Sequence, residues 1–396
     1  AARAASLSKQ RPWLTSYENN VPRTIAIPRL PLTSLLDSAV RRFPQRTAVT
    51  FEGSRMSYRK LHEQVQRFAH ALLSLGIQKG QRVMLLLPNL PQMVVAFYGT
   101  LQAGAVAVFT LPTTKADELV RQVRETDTRI LVTLDLWQEL AVQVAAQTNL
   151  EHILLTSPAD PLSTLKRKLY SLRSPAARQQ TAQPPALRAT LHSYRPLLAA
   201  QPAAPVEIEA SSADLAAVIY TGGTTAEPKG VMLSHFNLMA NTLQVRHWMP
   251  SAVEGRERFL CALSFSHSYG LTTALNVPIS LGAMLIVKSS FKLDEILKAI
   301  KRYHPTIFPG VPSMYVAINN TPGVRKYGIQ SIKACISGSA PLPIEVQEAF
   351  ERLTKGRLVE GYGLTEASPV THANPLDGQR KFGSIGVPLP STEARI

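Results

Sequence analysis

Between residues 31 and 156 two kinds of segment follow one another in strict succession, and this limits the folds open to the chain. In "PLTSLLDSAVRRFP", Leu32, Leu35, Leu36 and Ala39 recur at i, i+3, i+4 and i+7, the mark of one buried helical face. In "SYRKLHEQVQRFAHALLSLG", Leu61, Val65, Phe68 and Leu72 do the same, with Ser57 placed to cap the start and Gly76 the end. Further helices are expected over 91–103, closed by Gly104, around Leu119 and Val123, and over "LWQELAVQVAAQ". Short continuous apolar runs separate them: "RVMLLLP", "AVAVF", "RILVTL" and "HILLT" suit strands buried on both faces. "AVTFEG" and "SRMSY" read as a hairpin. Alternation of this kind predicts an α/β fold, a parallel sheet with helices on both faces.

The pattern breaks at 157–212, a stretch rich in Pro, Ala, Ser and Arg that contains no acid between 161 and 205. It reads as a subdomain linker or surface insertion. Alternation resumes at "DLAAVIY". The expected organisation is an extended arm over 1–30, a first α/β subdomain over 31–205 ending in the basic insertion, and a second over 206–396. Within the insertion, Leu162, Leu165, Leu169 and Leu172 form one helical stripe, with Lys166, Arg167, Lys168 and Arg173 mainly off it. Two readings stay open: an interfacial helix on an anionic membrane, or a helix packed on its own domain.

Charge and cysteine content exclude some classes. The formal net charge is +16, yet no helix-turn-helix, RNA-recognition or zinc spacing supports a nucleic-acid partner. Phosphorylated substrates or an anionic membrane fit the charge better. Cys261 and Cys335 cannot build a disulfide framework, so a reducing, cytoplasmic setting is expected. No apolar run is long enough to span a bilayer. The start, "AARAASLSKQRPW", lacks both a Met and an apolar core, so no secretory signal is expected and the N-terminus reads as altered or absent.

One stretch carries chemistry openly. "YTGGTTAEPKGVMLSH" (220–235) packs three glycines, three threonines, a proline and a lysine into the eleven positions from Tyr220 to Gly230. An apolar run precedes it. "HFNLMANTLQVRHWM" follows, with Phe236, Met239, Ala240 and Leu243 on one helical face, so the stretch reads as a strand–loop–helix connection. Glycines let several backbone N–H groups converge on an anion. Threonine hydroxyls add donors, and Lys229 adds a compact charge. A P-loop kinase is not expected: Pro228 stands before the lysine where that motif needs Gly, and Gly230 stands after it where Ser or Thr is needed. A ligand-free Gly/Thr-rich turn is the bland reading, and it leaves three threonines and a lysine unexplained.

The stretch resembles the phosphate loop of the adenylate-forming superfamily of acyl-CoA synthetases, luciferases and peptide-synthetase adenylation domains. The usual form there is Tyr-Thr-Ser-Gly-Thr-Thr-Gly-x-Pro-Lys-Gly. Here Gly222 replaces the Ser and Ala226 the last loop Gly. If that last position needs positive φ, Ala costs about 1 kcal/mol or more. Three further segments match in order: "LSFSHSYGL" (263–271), "ISGSAPLP" (336–343) and "EGYGLTEASP" (360–369). "RPWLTSYENNVPRTI" and "VTHANPLDGQRKFGSIGVPLP" resemble long-chain fatty-acyl-CoA ligases in particular, whereas "LPTTKADEL" departs from the usual Asn-Pro-x-Tyr-Thr form. In all, the resemblance covers about residues 11–396.

What the resemblance implies is specific. The fold would be the large N-terminal domain of an acyl-CoA synthetase, with two stacked sheet/helix subdomains in αβαβα layers plus a small distorted β-barrel, and "GSIGVPLPSTEARI" as a strand-rich ending. ATP, Mg²⁺ and CoA would serve activation of a long-chain fatty acid, first to acyl-AMP and then to acyl-CoA. Thr221, Gly222, Gly223, Thr224, Thr225 and Lys229 would hold the β,γ-phosphates. His267 would orient the substrate carboxylate. Gly338, Ser339 and Ala340 would leave room for adenine, with Glu360, Gly361, Tyr362 and Gly363 beside it. Thr365 would meet the α-phosphate, and Glu366 with Thr225 would hold the metal. Alternatives are a fatty-acyl-AMP ligase that loads a carrier protein, and a non-catalytic nucleotide- or lipid-binding remnant. The expectations extend to a homodimer and to peripheral contact with the inner membrane face. Superfamily members continue with an Asp for the ribose, a hinge and a small C-terminal domain carrying a further Lys. The chain is therefore expected to be the N-terminal portion of such an enzyme, with incomplete activity on its own.

Overall fold

The segment 47–57 folds as expected, and its turn shows why. Strands β1 (Thr47–Phe51) and β2 (Ser54–Ser57) pair antiparallel through a two-residue loop, Glu52 at φ 45° and Gly53 at φ 85°. Positive φ at both loop positions matches the twist of the flanking strands. The computed structural model describes residues 11–173, 187–208, 210–221 and 227–395. These fall into two compact units.

One unit comprises Arg29–Phe236 and Ser264–His267. Its centre is a seven-stranded sheet built from β3 (Arg82–Leu86), β4 (Val106–Phe109), β5 (Thr128–Leu134), β6 (His152–Thr156), β7 (Thr190–Ser193), β8 (Leu215–Tyr220) and β9 (Gly230–Ser234), in the order β7-β6-β5-β3-β4-β8-β9. All neighbours run parallel except β8 and β9. The apolar runs are buried on both faces: Met84, Leu86, Val106, Val108, Leu131 and Ile153 share one cluster with Leu119 and Val123 of the helix Ala116–Thr126. Helix Tyr58–Ser74 buries Leu61, Val65, Phe68 and Leu72, and Ser57 accepts from the Lys60 N–H at its start. It meets helix Pro91–Gln102 at Gly99, where a Cβ would lie 2.7 Å from the Phe68 ring. From the basic stretch come helix Thr164–Arg173, the edge strand β7, and helix Tyr194–Ala199 with Tyr194 and Leu198 buried. Strands β8 and β9 thus join the sheet formed by β3 to β7.

The second unit comprises the described residues up to Pro28, Asn237–Leu263, and those from Ser268 onward. Strands β10 (Arg258–Cys261) and β11 (Met284–Val287) pair parallel. Ile307 bridges Phe259 to Ala334 and so links β10 to β12 (Ala334–Ser337). β12 runs parallel to β13 (Arg357–Gly363), which pairs antiparallel with β14 (Val370–Ala373), and β14 with β15 (Val387–Pro388). The core includes Leu260, Ile286, Ile300, Phe308, Tyr315 and Phe350. Tyr17 of the N-terminal segment sets its ring edge-on to Trp248 at 5.2 Å, and the Trp248 indole N–H donates to the Asn374 carbonyl. Cys261 and Cys335 are buried free thiols.

Four expectations are corrected. No closed barrel forms among the described residues: the β12–β15 sheet is open, because β15 has only two residues and Pro388 has no N–H to continue the ladder. For the same reason 383–395 is not strand-rich; Gly386 at φ 86° and two prolines keep it irregular. The phosphate loop is followed by β9 rather than by a helix, since Val231 and Leu233 continue the ladder opposite Ile219 and Ala217. Finally, helix His235–His247 buries only Met239 of the predicted stripe, together with Leu238, Asn241, Thr242 and Val245, while Phe236, Ala240 and Leu243 are half-buried. Asn241 is buried because its amide bonds the Val370 backbone on both sides, N–H and C=O.

Candidate functional site

Each unit carries one set of the residues singled out above. In the first, the loop between β8 and β9 is closed at its base by a backbone bond from the Thr221 N–H to the Lys229 carbonyl, 3.0 Å. The Lys229 N–H in turn donates to the Thr221 hydroxyl at 3.2 Å. This double clasp fixes the backbone on either side of the lysine while its side chain stays exposed. Gly222, Gly223, Thr224, Thr225 and Ala226 lie outside the described residues. Gly230 must be small: a Cβ would fall 2.9 Å from Val218 and 3.4 Å from the Tyr220 ring.

The loop is also tied to helix Ala116–Thr126, which sequence reasoning missed. Arg121 donates to the Pro228 carbonyl at 3.1 Å and stacks near the Tyr220 ring, and the Tyr220 hydroxyl donates to Glu125 at 3.0 Å. Arg121 is held in turn by Glu118 and Glu125, each at 2.6 Å. The hydrogen bond from Arg121 keeps the Glu118 carboxyl below its ordinary range. Burial and then the Glu125 bond push the Tyr220 phenol up, so it stays a donor. The signal was present as Glu118, Arg121 and Glu125, spaced i, i+3, i+7 on one helical face. His267 belongs to this unit, in a turn whose Phe265 N–H donates to the Asn89 amide oxygen at 2.8 Å. His267 is exposed, yet the protein packed around it disfavours the charged form and lowers its pKa, which favours the neutral imidazole.

The second unit holds the remaining residues. Gly338 follows β12 directly, and a Cβ there would meet the Tyr269 ring at 3.1 Å. Its smallness accommodates Tyr269, whose hydroxyl donates to the Ile336 carbonyl at 2.6 Å. Ser339 (φ 68°) and Ala340 are exposed beyond it. On β13, Glu360 is buried and burial raises its pKa, partly offset by the Leu342 N–H. Gly361 lies against Ile336, where a Cβ would meet a methyl at 2.9 Å. Tyr362 is 47% exposed, a free aromatic face, with His372 edge-on at 6.3 Å. Gly363 admits no side chain at all: a Cβ would lie 2.1 Å from the Pro369 carbonyl oxygen. That contact folds 364–369 into a tight turn, closed by the Leu364 N–H on the Pro369 carbonyl at 3.0 Å. Thr365 lies 3.2 Å from the Ser268 hydroxyl, a neighbour the sequence reading did not connect to it, and Glu366 is exposed.

No group of three His, Cys, Asp or Glu side chains able to hold a metal occurs among the described residues. A single exposed carboxylate such as Glu366 still fits Mg²⁺, which is commonly held by one or two carboxylates plus substrate phosphates.

A family model described as AMP-binding enzyme matches residues 36–396. The chain is 40% identical over 392 residues to a long-chain-fatty-acid–CoA ligase of Bacillus subtilis (strain 168), a match covering 98% of this chain and 70% of that protein. A long-chain-fatty-acid–CoA ligase of Salmonella typhimurium (strain LT2) is 32% identical over 394 residues, 97% of this chain and 69% of the relative. Among solved structures, an anthranilate CoA ligase in complex with anthranoyl-AMP superposes with a TM-score of 0.78 at 22% identity, over 92% of this chain and 65% of that one. That likeness concerns the fold alone. The chain thus spans about two thirds of the length of the proteins it matches.

Proposed function

The chain belongs to the AMP-binding enzyme family, and we propose that it carries out ATP-dependent activation of a long-chain fatty acid as part of a fatty-acid–CoA ligase. The observation that carries this reading is the clasped hairpin loop: Thr221 locks the backbone of Lys229 and leaves its ammonium group exposed. Similarity to two long-chain-fatty-acid–CoA ligases over nearly the whole chain supports the substrate class.

In the proposed first step a carboxylate oxygen of the fatty acid attacks the α-phosphorus of ATP. The P–O bond to the leaving pyrophosphate breaks, and acyl-AMP remains. Such a step asks for charge neutralisation and in-line placement more than for covalent help. Lys229, with Thr221, Gly222, Gly223, Thr224 and Thr225, is assigned to the β,γ-phosphates. Thr365 is assigned to the α-phosphate. Neutral His267 suits orientation of the carboxylate, since it can donate one hydrogen bond without a permanent charge. Gly338, Ser339, Ala340, Glu360, Gly361, Tyr362 and Gly363 are assigned to the adenine, where the exposed Tyr362 ring offers a stacking face. Glu366 and Thr225 are the residues proposed to hold Mg²⁺, which when bound neutralises phosphate charge. In the second step the thiol of CoA attacks the acyl carbonyl, and AMP leaves.

The test is pyrophosphate release from ATP and Mg²⁺ with and without palmitate. The reading expects release that requires the fatty acid. Release independent of fatty acid, or none from the full-length enzyme, overturns it. Product analysis with CoA and with an acyl carrier protein then separates the thioester ligase from a carrier-loading enzyme.

The basic helix Thr164–Arg173 supports a further part of the proposal, peripheral contact with an anionic membrane. Each basic residue near such a surface contributes about 1 kcal/mol. No helix among the described residues is long and apolar enough to cross a membrane. Co-sedimentation with anionic liposomes that is unchanged when Lys166, Arg167, Lys168 and Arg173 become Gln would remove this part.

A further inference from the structure

Ser268–Gly270, Leu271–Asn276 and Val277–Ser280 run on as one helix in the second unit, buried along its whole length. A hydroxyl inside such a helix needs a partner, and the usual one is a carbonyl of its own preceding turn. Thr273 donates to the Tyr269 carbonyl at 2.6 Å, and Ser280 to the Val277 carbonyl at 2.7 Å. Ser268 and Thr272, one helical turn apart and only 1% and 0% exposed, do not follow them. The Thr272 hydroxyl leaves the helix and donates to the Ser368 carbonyl at 2.8 Å. The Ser268 hydroxyl lies 3.2 Å from that of Thr365. Both therefore reach the same short turn, and both reach it from one helical face.

The two contacts differ in kind. Thr272 grips backbone. Ser368 is buried and sits at φ 77°, a region that disfavours a residue with a side chain. Its N–H donates to the Thr365 carbonyl at 3.1 Å. With the Leu364 N–H on the Pro369 carbonyl, these bonds fix the backbone on both sides of Thr365. Ser268 instead grips a side chain, that of Thr365, which is only half-buried. A pair of hydroxyls can bond in either direction. If Thr365 donates to Ser268, its single proton is used up inward. If Ser268 donates to Thr365, the Thr365 proton is free to point outward. An ionised phosphate oxygen settles the direction, because it only accepts.

We propose that Ser268 is a positioning residue for the attack on the α-phosphate, an inference that rests on the assignment of Thr365 to that group. Ser268 donates to the Thr365 oxygen, holds its side chain in one rotamer, and turns its proton towards the phosphate. Hydrogen bonds linked head to tail polarise each other, so the outer one is strengthened. The gain is largest as negative charge builds on the phosphate, where a preorganised donor acts without reorganising. No proton changes owner, and Ser268, being 1% exposed, touches no substrate. Its role is to exclude the other rotamers of Thr365 and the inward direction of its proton.

The experiment measures palmitate-dependent pyrophosphate release by the full-length enzyme, with Tm taken on the same preparations. Thr365→Val should lower kcat about a hundredfold. Ser268→Ala should lower kcat about tenfold, with the KM for ATP within about twofold of the parent. Ser268→Cys, a weaker donor of similar size, should fall between the two. In the Thr365→Val background, Ser268→Ala should have no further effect, because the side chain it orients is gone. A merely structural role would lower Tm and act equally in both backgrounds. An equal loss in both backgrounds, or parental kcat in Ser268→Ala, overturns the positioning role. If Thr365→Val keeps parental kcat, the assignment of Thr365 fails and the inference falls with it. Loss in Thr365→Val beside parental kcat in Ser268→Ala sinks the inference alone.

Discussion

The loop at 220–230 and the turn at 360–369 are both glycine-rich segments at strand ends, but they are held by opposite means. The first is tied by polar groups: the Thr221–Lys229 clasp, Arg121 on Pro228, and Tyr220 on Glu125. Its lysine and its flanking Glu227 are exposed. The second is fixed by exclusion, because Gly361 and Gly363 let backbone and side chains approach where no Cβ fits. Polar ties leave side chains to be chosen for chemistry. Close backbone approach makes residue choice a condition of folding. Substitutions in the loop should therefore separate activity from stability, and substitutions in the turn should not.

The most damaging test of this contrast is Gly363→Ala. With a Cβ 2.1 Å from the Pro369 carbonyl oxygen, backbone must move, and a loss of about 3 kcal/mol or more is expected. Denaturant unfolding measures it; a stability within error of the parent would mean the turn is adaptable. Next comes pH. His235 sits at the end of β9, accepts the Leu32 N–H at 3.1 Å, and has its pKa lowered to about 4, chiefly by burial. The folded protein therefore binds fewer protons than the unfolded chain between about pH 6.5 and pH 4. Stability from this group is intact above pH 6.5 and falls as pH drops through that window, by roughly 3 kcal/mol in all. A pH series on the parent and on His235→Asn should show the difference, and parallel curves would remove His235 as the cause. The smallest effect is expected for Tyr220→Phe, which removes the 3.0 Å bond to Glu125 and should cost about 1 kcal/mol while loosening the loop. A rise in the KM for ATP with little change in Tm is the signature to seek.

These differences also explain what the sequence could tell. Helix Tyr58–Ser74 was legible to its cap, because Leu61, Val65, Phe68 and Leu72 face one core and Ser57 does local work. The parallel sheet was legible because its strands are apolar throughout. β9 was not, since "GVMLS" is short and leaves Met232 71% exposed, so its membership depends on pairing with β8. Helix His235–His247 defeated periodicity because it is apolar on more than one side, and tertiary bonds to Asn241 decided which side is buried. The site residues were readable as types. Their supports were not: Gly338 answers to Tyr269, and Thr365 to Ser268, across long sequence separations that no spacing rule reaches.

In the proposed function a hairpin clasp presents Lys229 to the phosphates of ATP, and the fold does not depend on that side chain. Lys229→Ala tests it directly, with palmitate-dependent pyrophosphate release and unfolding free energy measured on the same preparation of the full-length enzyme. Release should fall about a hundredfold or more, with stability unchanged within about 0.5 kcal/mol. Parental release, or a loss of release that merely follows unfolding, would contradict it.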